Sequence, residues 1–216
     1  MGKRSSFERR ERDFYPTPRE AVLPLIPHLR GVRAFAEPCC GDGALVRHLE
    51  SFGMRCTYAG DISTGQDALA VESYGGAPVI TNSPWLRAVL HPMIAHFMRA
   101  APFAWLLVDA DWPHTKQSRP FIPHCSHILP LGRIKWIAGS DGCGKDNAAW
   151  YRFEASHTSG PVLLQYRAEI TSTAPRRTCE QCGDRYSPQR SDSLFCSPRC
   201  RTRAYRSRLA VTQTSP

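Results

Sequence analysis

Two apolar periods alternate along the first half of this chain. Short runs rich in apolar residues occur at "RAFAEP" (33–38), "MRCTYAGDI" (54–62), "APVITN" (77–82) and "FAWLLVDAD" (103–111), and each reads as a β-strand. Between them the period lengthens. "ALVRHLESFG" puts Leu45, Leu49 and Phe52 on one helical face and closes on Gly53, while "PMIAHFMRA" reads as a helix with Pro92 at its start. Ahead of the first strand, "TPRE" (Thr17 to Glu20) is a capping box with Pro18 at the first helical position, opening a helix toward Leu29 with a kink at Pro24. Strand–helix alternation predicts an α/β fold, a mostly parallel sheet with helices on both faces.

After Asp111 the pattern changes. "GRIKWIAG" and "AAWYRFEA" flank the polar loop "SDGCGKDN", which predicts an antiparallel pair around a long hairpin. "STAPRRT" (172–178) has linker composition. The expected organisation is a basic arm (1–12), a body (13–171), the linker, a second unit (179–208) and a disordered tail (209–216).

Composition supports a folded body, because 42% of the 216 residues are apolar. No run approaches a membrane-spanning length, and the charged N-terminus lacks the apolar core of a secretory signal, so a cytoplasmic protein is expected. The net charge of +9 is concentrated at the ends. Residues 1–12 hold five basic and two acidic side chains, residues 176–208 hold nine arginines against Glu180, Asp184 and Asp192, and the stretch between is balanced. A neutral body with basic ends suits a polyanionic partner such as nucleic acid.

"EPCCGDG" (Glu37 to Gly43) lies between a strand and a helix, where glycines let the backbone approach a ligand and the helix N-terminus favours an anionic group. A dinucleotide fingerprint needs a third glycine at position 46, which is Val46. Asp61 follows Gly41 by twenty residues, at the end of the next strand, the usual place for an acid that holds ribose hydroxyls. The third strand ends abruptly in "NSPW": Asn82, Ser83, Pro84 and Trp85.

Together, "EPCCGDG" and "TNSPW" resemble the paired motifs of the S-adenosylmethionine-dependent DNA amino-methyltransferases. Finer stretches, "LLVDADWPHTKQS" and "GKDNAAWYRF" among them, are similar to small phage- and prophage-encoded adenine-methyltransferase-like proteins. The resemblance implies a Rossmann-like class I methyltransferase fold and S-adenosylmethionine as cofactor. It further implies cofactor contacts from Glu37, Pro38, Gly41, Gly43, Asp61 and Ile62, from Tyr15, Thr17 and Pro18 within "DFYPTP", and from Asp67 within "GQDAL". The tetrad Asn82–Trp85 becomes the catalytic motif, with Ser83 where the first proline usually sits.

The chemistry explains the tetrad. An exocyclic amino nitrogen of adenine or cytosine is a poor nucleophile because its lone pair is delocalised into the ring. Two preorganised acceptors, the Asn82 side-chain oxygen and the residue-83 carbonyl, favour a more available lone pair. Serine retains that carbonyl. Trp85 then stacks on a base rotated out of the duplex. Carbon-5 cytosine methylation needs a cysteine nucleophile that the tetrad region lacks. His114, His124 and His127 near Asp109 and Asp111 match no metal-binding spacing, and "DADW" (109–112) is read as a strand end lining the base pocket.

The expected activity is methylation of adenine N6 in double-stranded DNA. Cytosine N4, a protein glutamine amide, or a catalytically degenerate nucleic-acid-binding protein are the alternatives. Separately, Cys179, Cys182, Cys196 and Cys200 have the spacing of one four-thiolate Zn2+ site. So small a unit cannot fold on its own core, so metal binding would supply the folding energy. "CRTRAYRSR" after the last ligand reads as an arginine-rich helix suited to phosphates.

Overall fold

The computed structural model describes residues 15–137, 143–165, 177–186, 193–197 and 199–205. The chain divides into two compact units, residues 1–167 and 168–216. The expected basic arm, Asp13, most of the linker and the C-terminal tail lie outside the described residues. No helix among the described residues is long and apolar enough to cross a membrane.

The first unit is built on a seven-stranded sheet. Strands β1 (Ala34–Glu37), β2 (Arg55–Ala59), β3 (Val79–Thr81) and β4 (Ala104–Asp109) run parallel, in the spatial order β2-β1-β3-β4. An antiparallel β6 (Asn147–Phe153) then joins β4 to β5 (Cys125–Arg133), and a short β7 (Val162–Leu163) completes the edge. The chain moves from β1 outward to β2 and returns to place β3 on the other side of β1. The strand order therefore reverses between β1 and β3, and the crevice at their carboxyl ends is where open α/β sheets take ligands.

Residue alternation explains why both faces are covered. Ala36, Val79, Ala104, Leu106, Val108, Tyr151 and Phe153 meet Leu90, Ile94 and Phe97 of helix α3 (Arg87–Ala100) on one face. Phe35, Ile80, Trp105, Leu107 and Trp150 meet α1 (Arg19–Val22) and α2 (Ala44–Glu50) through Val22, Leu45 and Leu49 on the other. β4 is apolar almost throughout because neither face sees water. Burying each large side chain of this kind contributes roughly 1.5–3 kcal/mol. The expected Rossmann-like α/β body is thus present.

Several local expectations are corrected. The Thr17–Glu20 capping box does not form: Pro18 occupies the N-cap position with no side-chain cap bond, and α1 passes after Val22 into a 3-10 helix, Leu23–Leu29. The Thr17 hydroxyl instead accepts from the Asn82 amide, and Glu20 accepts from the Lys135 backbone N–H. Tertiary partners have taken both side chains from the local motif. Helix α3 begins at Arg87, so Pro92 lies inside it rather than at its start. Phe52 is not core; it is exposed, with the Arg19 guanidinium 4.9 Å above its ring. The strand expected in "GRIKWIAG" lies earlier, over Cys125–Arg133, with Arg133 opposite Asn147. Pro130 disguised it. β7 pairs only with His127 and Ile128, so this proline sits at an open edge and a local bulge, where strands tolerate a missing N–H.

In the second unit β8 (Arg177–Thr178) and β9 (Arg185–Tyr186) pair antiparallel, and residues 199–205 form a helix, α4.

Candidate active site and metal centre

A cavity of about 870 Å³ opens at the carboxyl ends of β1, β3 and β4, over the crevice where the strand order reverses. Its lining includes Glu37 at the end of β1, Cys39 to Asp42 of the glycine loop, Asp61 to Ser63 after β2, Asn82 to Arg87 after β3, and Asp109 and Trp112 after β4. Tyr15 to Thr17, Trp136, and Gly144 to Asp146 add further walls.

The glycine loop is fixed by main-chain bonds to the segment after β2. Gly60 N–H donates to Glu37 O and Cys40 N–H to Gly60 O, at 3.0 and 2.9 Å. Gly41 N–H donates to the Asp61 carboxylate at 2.9 Å, and Gly41 itself holds φ of 51°, a left-handed conformation that disfavours a side chain. The other Asp61 oxygen accepts from the Ser63 N–H and hydroxyl. Asp61 therefore shapes the loop as well as facing the cavity. Ile62 is 64% exposed on the rim.

Glu37 is the most perturbed carboxyl group among the described residues. It is 1% exposed; one carboxylate oxygen takes the Thr81 hydroxyl at 2.5 Å and the Cys39 N–H at 3.0 Å, while Oε2 has no hydrogen-bond partner among the described residues. Desolvation pushes its pKa up to about 8 despite those two bonds. Burial also raises the Cys39 and Cys40 thiols, so neither is a poised thiolate nucleophile. Asp109 is held above the ordinary carboxylate range by partial burial, against the opposing hydrogen bond from the Asp111 N–H, with the nearby Asp111 and Asp146 charges adding to the shift.

The tetrad is held from several sides. Asn82 donates through Nδ2 to Thr17 Oγ1 at 3.1 Å, and Trp85 donates through Nε1 to the Leu107 carbonyl at 3.0 Å. Ser83 is 2% exposed, and its hydroxyl has no partner among the described residues. Trp136 meets Trp85 edge-on at 5.9 Å and Tyr15 at 6.2 Å between ring centroids. Trp112, at the end of β4, donates its indole N–H to His91 Nε2 at 3.1 Å.

Of the residues singled out in the sequence, Tyr15, Thr17, Glu37, Gly41, Asp61, Ile62 and the whole tetrad line this one cavity. Pro18, Pro38, Gly43 and Asp67 do not line it; Asp67 caps a 3-10 helix by accepting from the Leu69 N–H, and Gly43 is the left-handed N-cap of α2. Sequence reasoning missed Trp136, Leu86, Arg87, Lys145 and Asp146. Trp136 was hidden by its assignment to a strand. A usable signal was Gly144, whose N–H bonds Ile134 O and whose absent Cβ would come within 2.9 Å of the Trp136 ring. That glycine is needed for the close approach.

In the second unit the four cysteine sulfurs lie within 4.8 Å of one another. Cys196 Sγ is 3.5 Å from both Cys182 Sγ and Cys200 Sγ, close to the roughly 3.8 Å expected for sulfurs at tetrahedral corners around zinc. The Cys196 N–H points at Cys179 Sγ at 3.4 Å, a bond that supports a thiolate. The donor set and its spacing fit one Zn2+. His124 and His127 instead contact the His157 carbonyl and the Ser126 hydroxyl, and join no such cluster among the described residues.

No protein-family model matches the chain, and no curated protein matches it. Among solved structures it is similar to a Pyrococcus horikoshii protein assigned as an RNA methyltransferase: TM-score 0.45, 14% identity, covering 74% of this chain and 94% of the other. It is similar to the 23S rRNA methyltransferase ErmE, with TM-score 0.42, 10% identity, and coverages of 64% and 68%. It is also similar to the modification subunit assigned to a type I restriction enzyme of Vibrio vulnificus YJ016, with TM-score 0.45 and 13% identity over 70% of this chain. The chain spans 47% of that subunit's length.

Proposed function

We propose that this protein is an S-adenosylmethionine-dependent methyltransferase acting on an exocyclic amino group in double-stranded DNA, adenine N6 before cytosine N4. One observation carries the reading: the glycine loop after β1 and the Asn82–Trp85 tetrad after β3 share a single cavity at the point where the strand order reverses.

The cavity's charge suits a cationic cofactor. Its lining carries the acids Asp42, Asp61, Asp109 and Asp146 against the cations Arg87 and Lys145, with Glu37 held mostly in its neutral form at about pH 7. In this reading Tyr15, Thr17, Glu37, Gly41, Asp61 and Ile62 hold S-adenosylmethionine, and Pro18, Pro38, Gly43 and Asp67 shape the segments that carry them. The bound cofactor supplies a methyl carbon made electrophilic by its sulfonium. Asn82, its amide nitrogen engaged by Thr17, offers its oxygen to the amino protons beside the Ser83 carbonyl, which makes the nitrogen lone pair more available. Trp85, anchored to β4, receives the ring of the flipped base.

The four-cysteine unit is read as a structural Zn2+ module that grips phosphate. Arg199, Arg201 and Arg203 are exposed on α4, with Tyr205 beside them. The deciding experiment expresses the chain in a methylation-null host and sequences modified bases in genomic DNA. N6-methyladenine at a defined site is the expected result. N4-methylcytosine shifts the target base, and an unmodified genome together with no transfer to purified duplex overturns the proposal.

A further inference from the structure

Among the described residues, two side-chain polar atoms are buried without a hydrogen-bond partner: Glu37 Oε2 and Ser83 Oγ. Both residues line the same cavity. Leaving a buried hydroxyl unbonded costs about 1–3 kcal/mol. A proline, the residue usual at position 83 in the family that the tetrad resembles, would carry no such group. The Ser83 hydroxyl is therefore a feature of this chain that the tetrad chemistry described above does not use.

We propose that Ser83 is a specificity-determining residue whose hydroxyl donates to the ring nitrogen adjacent to the amino-bearing carbon of the target base. The inference rests on the proposed amino-methyltransferase reading. Adenine and cytosine share the arrangement it needs, an amidine in which the amino nitrogen and an acceptor ring nitrogen flank one carbon. Residue 83 presents the matching pair from one backbone position. Its carbonyl accepts an amino proton, and its hydroxyl supplies a proton to the neighbouring lone pair. Such two-point contacts read a base edge far more selectively than one acceptor alone. The site also excludes water from the hydroxyl, because Ser83 is 2% exposed. A base lacking the ring nitrogen leaves that hydroxyl unsatisfied, which is how a buried polar group rejects an analogue.

The test uses the full-length protein and a duplex carrying its mapped site, with either adenine or 1-deazaadenine at the target position (3-deazacytosine where cytosine is the target). Parent and Ser83→Ala are compared in duplex affinity by fluorescence anisotropy, in kcat/KM, and in cofactor affinity by calorimetry. The parent should discriminate against the deaza base by about 10- to 100-fold. The variant should discriminate less than about threefold, with cofactor affinity unchanged. Equal discrimination by parent and variant overturns the assignment, as does a loss confined to cofactor affinity, which would place the hydroxyl on the cofactor side. Failure of the parent to methylate any duplex is a different result: it removes the underlying reading, and the assignment with it.

Discussion

Glu37→Gln isolates a titration that the fold imposes. The parent carboxyl is buried at the end of β1, with its pKa pushed from 4.5 up to about 8, chiefly by desolvation. An acid whose folded pKa exceeds its unfolded value binds more protons when folded, so the native state loses stability as pH rises from 4.5 toward 8. The slope is about 1.4 kcal/mol per pH unit, which accumulates to roughly 3 kcal/mol by pH 7. Glutamine is isosteric and keeps an oxygen for the Thr81 hydroxyl and the Cys39 N–H, but it does not titrate. The variant should therefore gain on the parent steadily between about pH 5 and pH 8, and the difference should flatten below pH 4.5. Urea denaturation followed by tryptophan fluorescence measures it cleanly. All five tryptophans (Trp85, Trp105, Trp112, Trp136 and Trp150) belong to the first unit, so unfolding of the cysteine unit stays silent. The lowered pKa values of His28, His48, His91 and His127 affect parent and variant alike and cancel in the difference. A stability difference independent of pH would refute the reasoning, because the carboxyl would then be charged throughout or never buried.

Asn82→Ala should lower methyl transfer by on the order of 100-fold or more, as for loss of one preorganised acceptor, while cofactor affinity measured by calorimetry stays near the parental value; parental turnover would remove the tetrad from catalysis. Gly144→Ala drives a Cβ to within 2.9 Å of the Trp136 ring and 3.1 Å of the Ile134 carbonyl, so the near-ultraviolet circular dichroism of the aromatic wall should change and transfer should fall. An unchanged spectrum would show that the loop and Trp136 do not press on each other. Cys196→Ser removes one of four ligands: zinc content should drop from about one per chain and the module should lose order. DNA affinity should fall with a shallower salt dependence, and the first unit's tryptophan signal should stay native. Metal loss with unchanged affinity and salt slope would keep the zinc site and remove its grip on DNA.

What was legible in the sequence depended on how local the cause was. β1, β3 and β4 were readable because strands buried on both faces are almost continuously apolar, and the edge strand β2 because half-buried Cys56 and Tyr58 alternate with exposed residues, signals that need no knowledge of partners. The glycine loop and the tetrad were readable because each is a contiguous strand end. The four cysteines were readable because ligand spacing is itself a covalent constraint. What failed was decided at a distance. Thr17 and Glu20 form a valid capping box in isolation, and only the folded sheet offers them Asn82 and Lys135 instead. β5 carries a proline that argues against a strand unless the open edge beside it is known. Trp136 reaches the cavity through ring contacts with Tyr15 and Trp85, residues more than fifty positions away in the chain, and through a glycine that makes room for it. The pattern has a physical consequence for the site. Of the residues whose local preference was overridden, Thr17 joins the segment before α1 to the turn after β3, and Glu20 joins α1 to the segment after β5. The override indicates that the tertiary contact is stronger than the cap it replaced, which is worth about 1 kcal/mol. Thr17→Val should therefore barely disturb α1, whose N-cap makes no side-chain bond. Its effect should fall on the orientation of Asn82, sixty-five residues away.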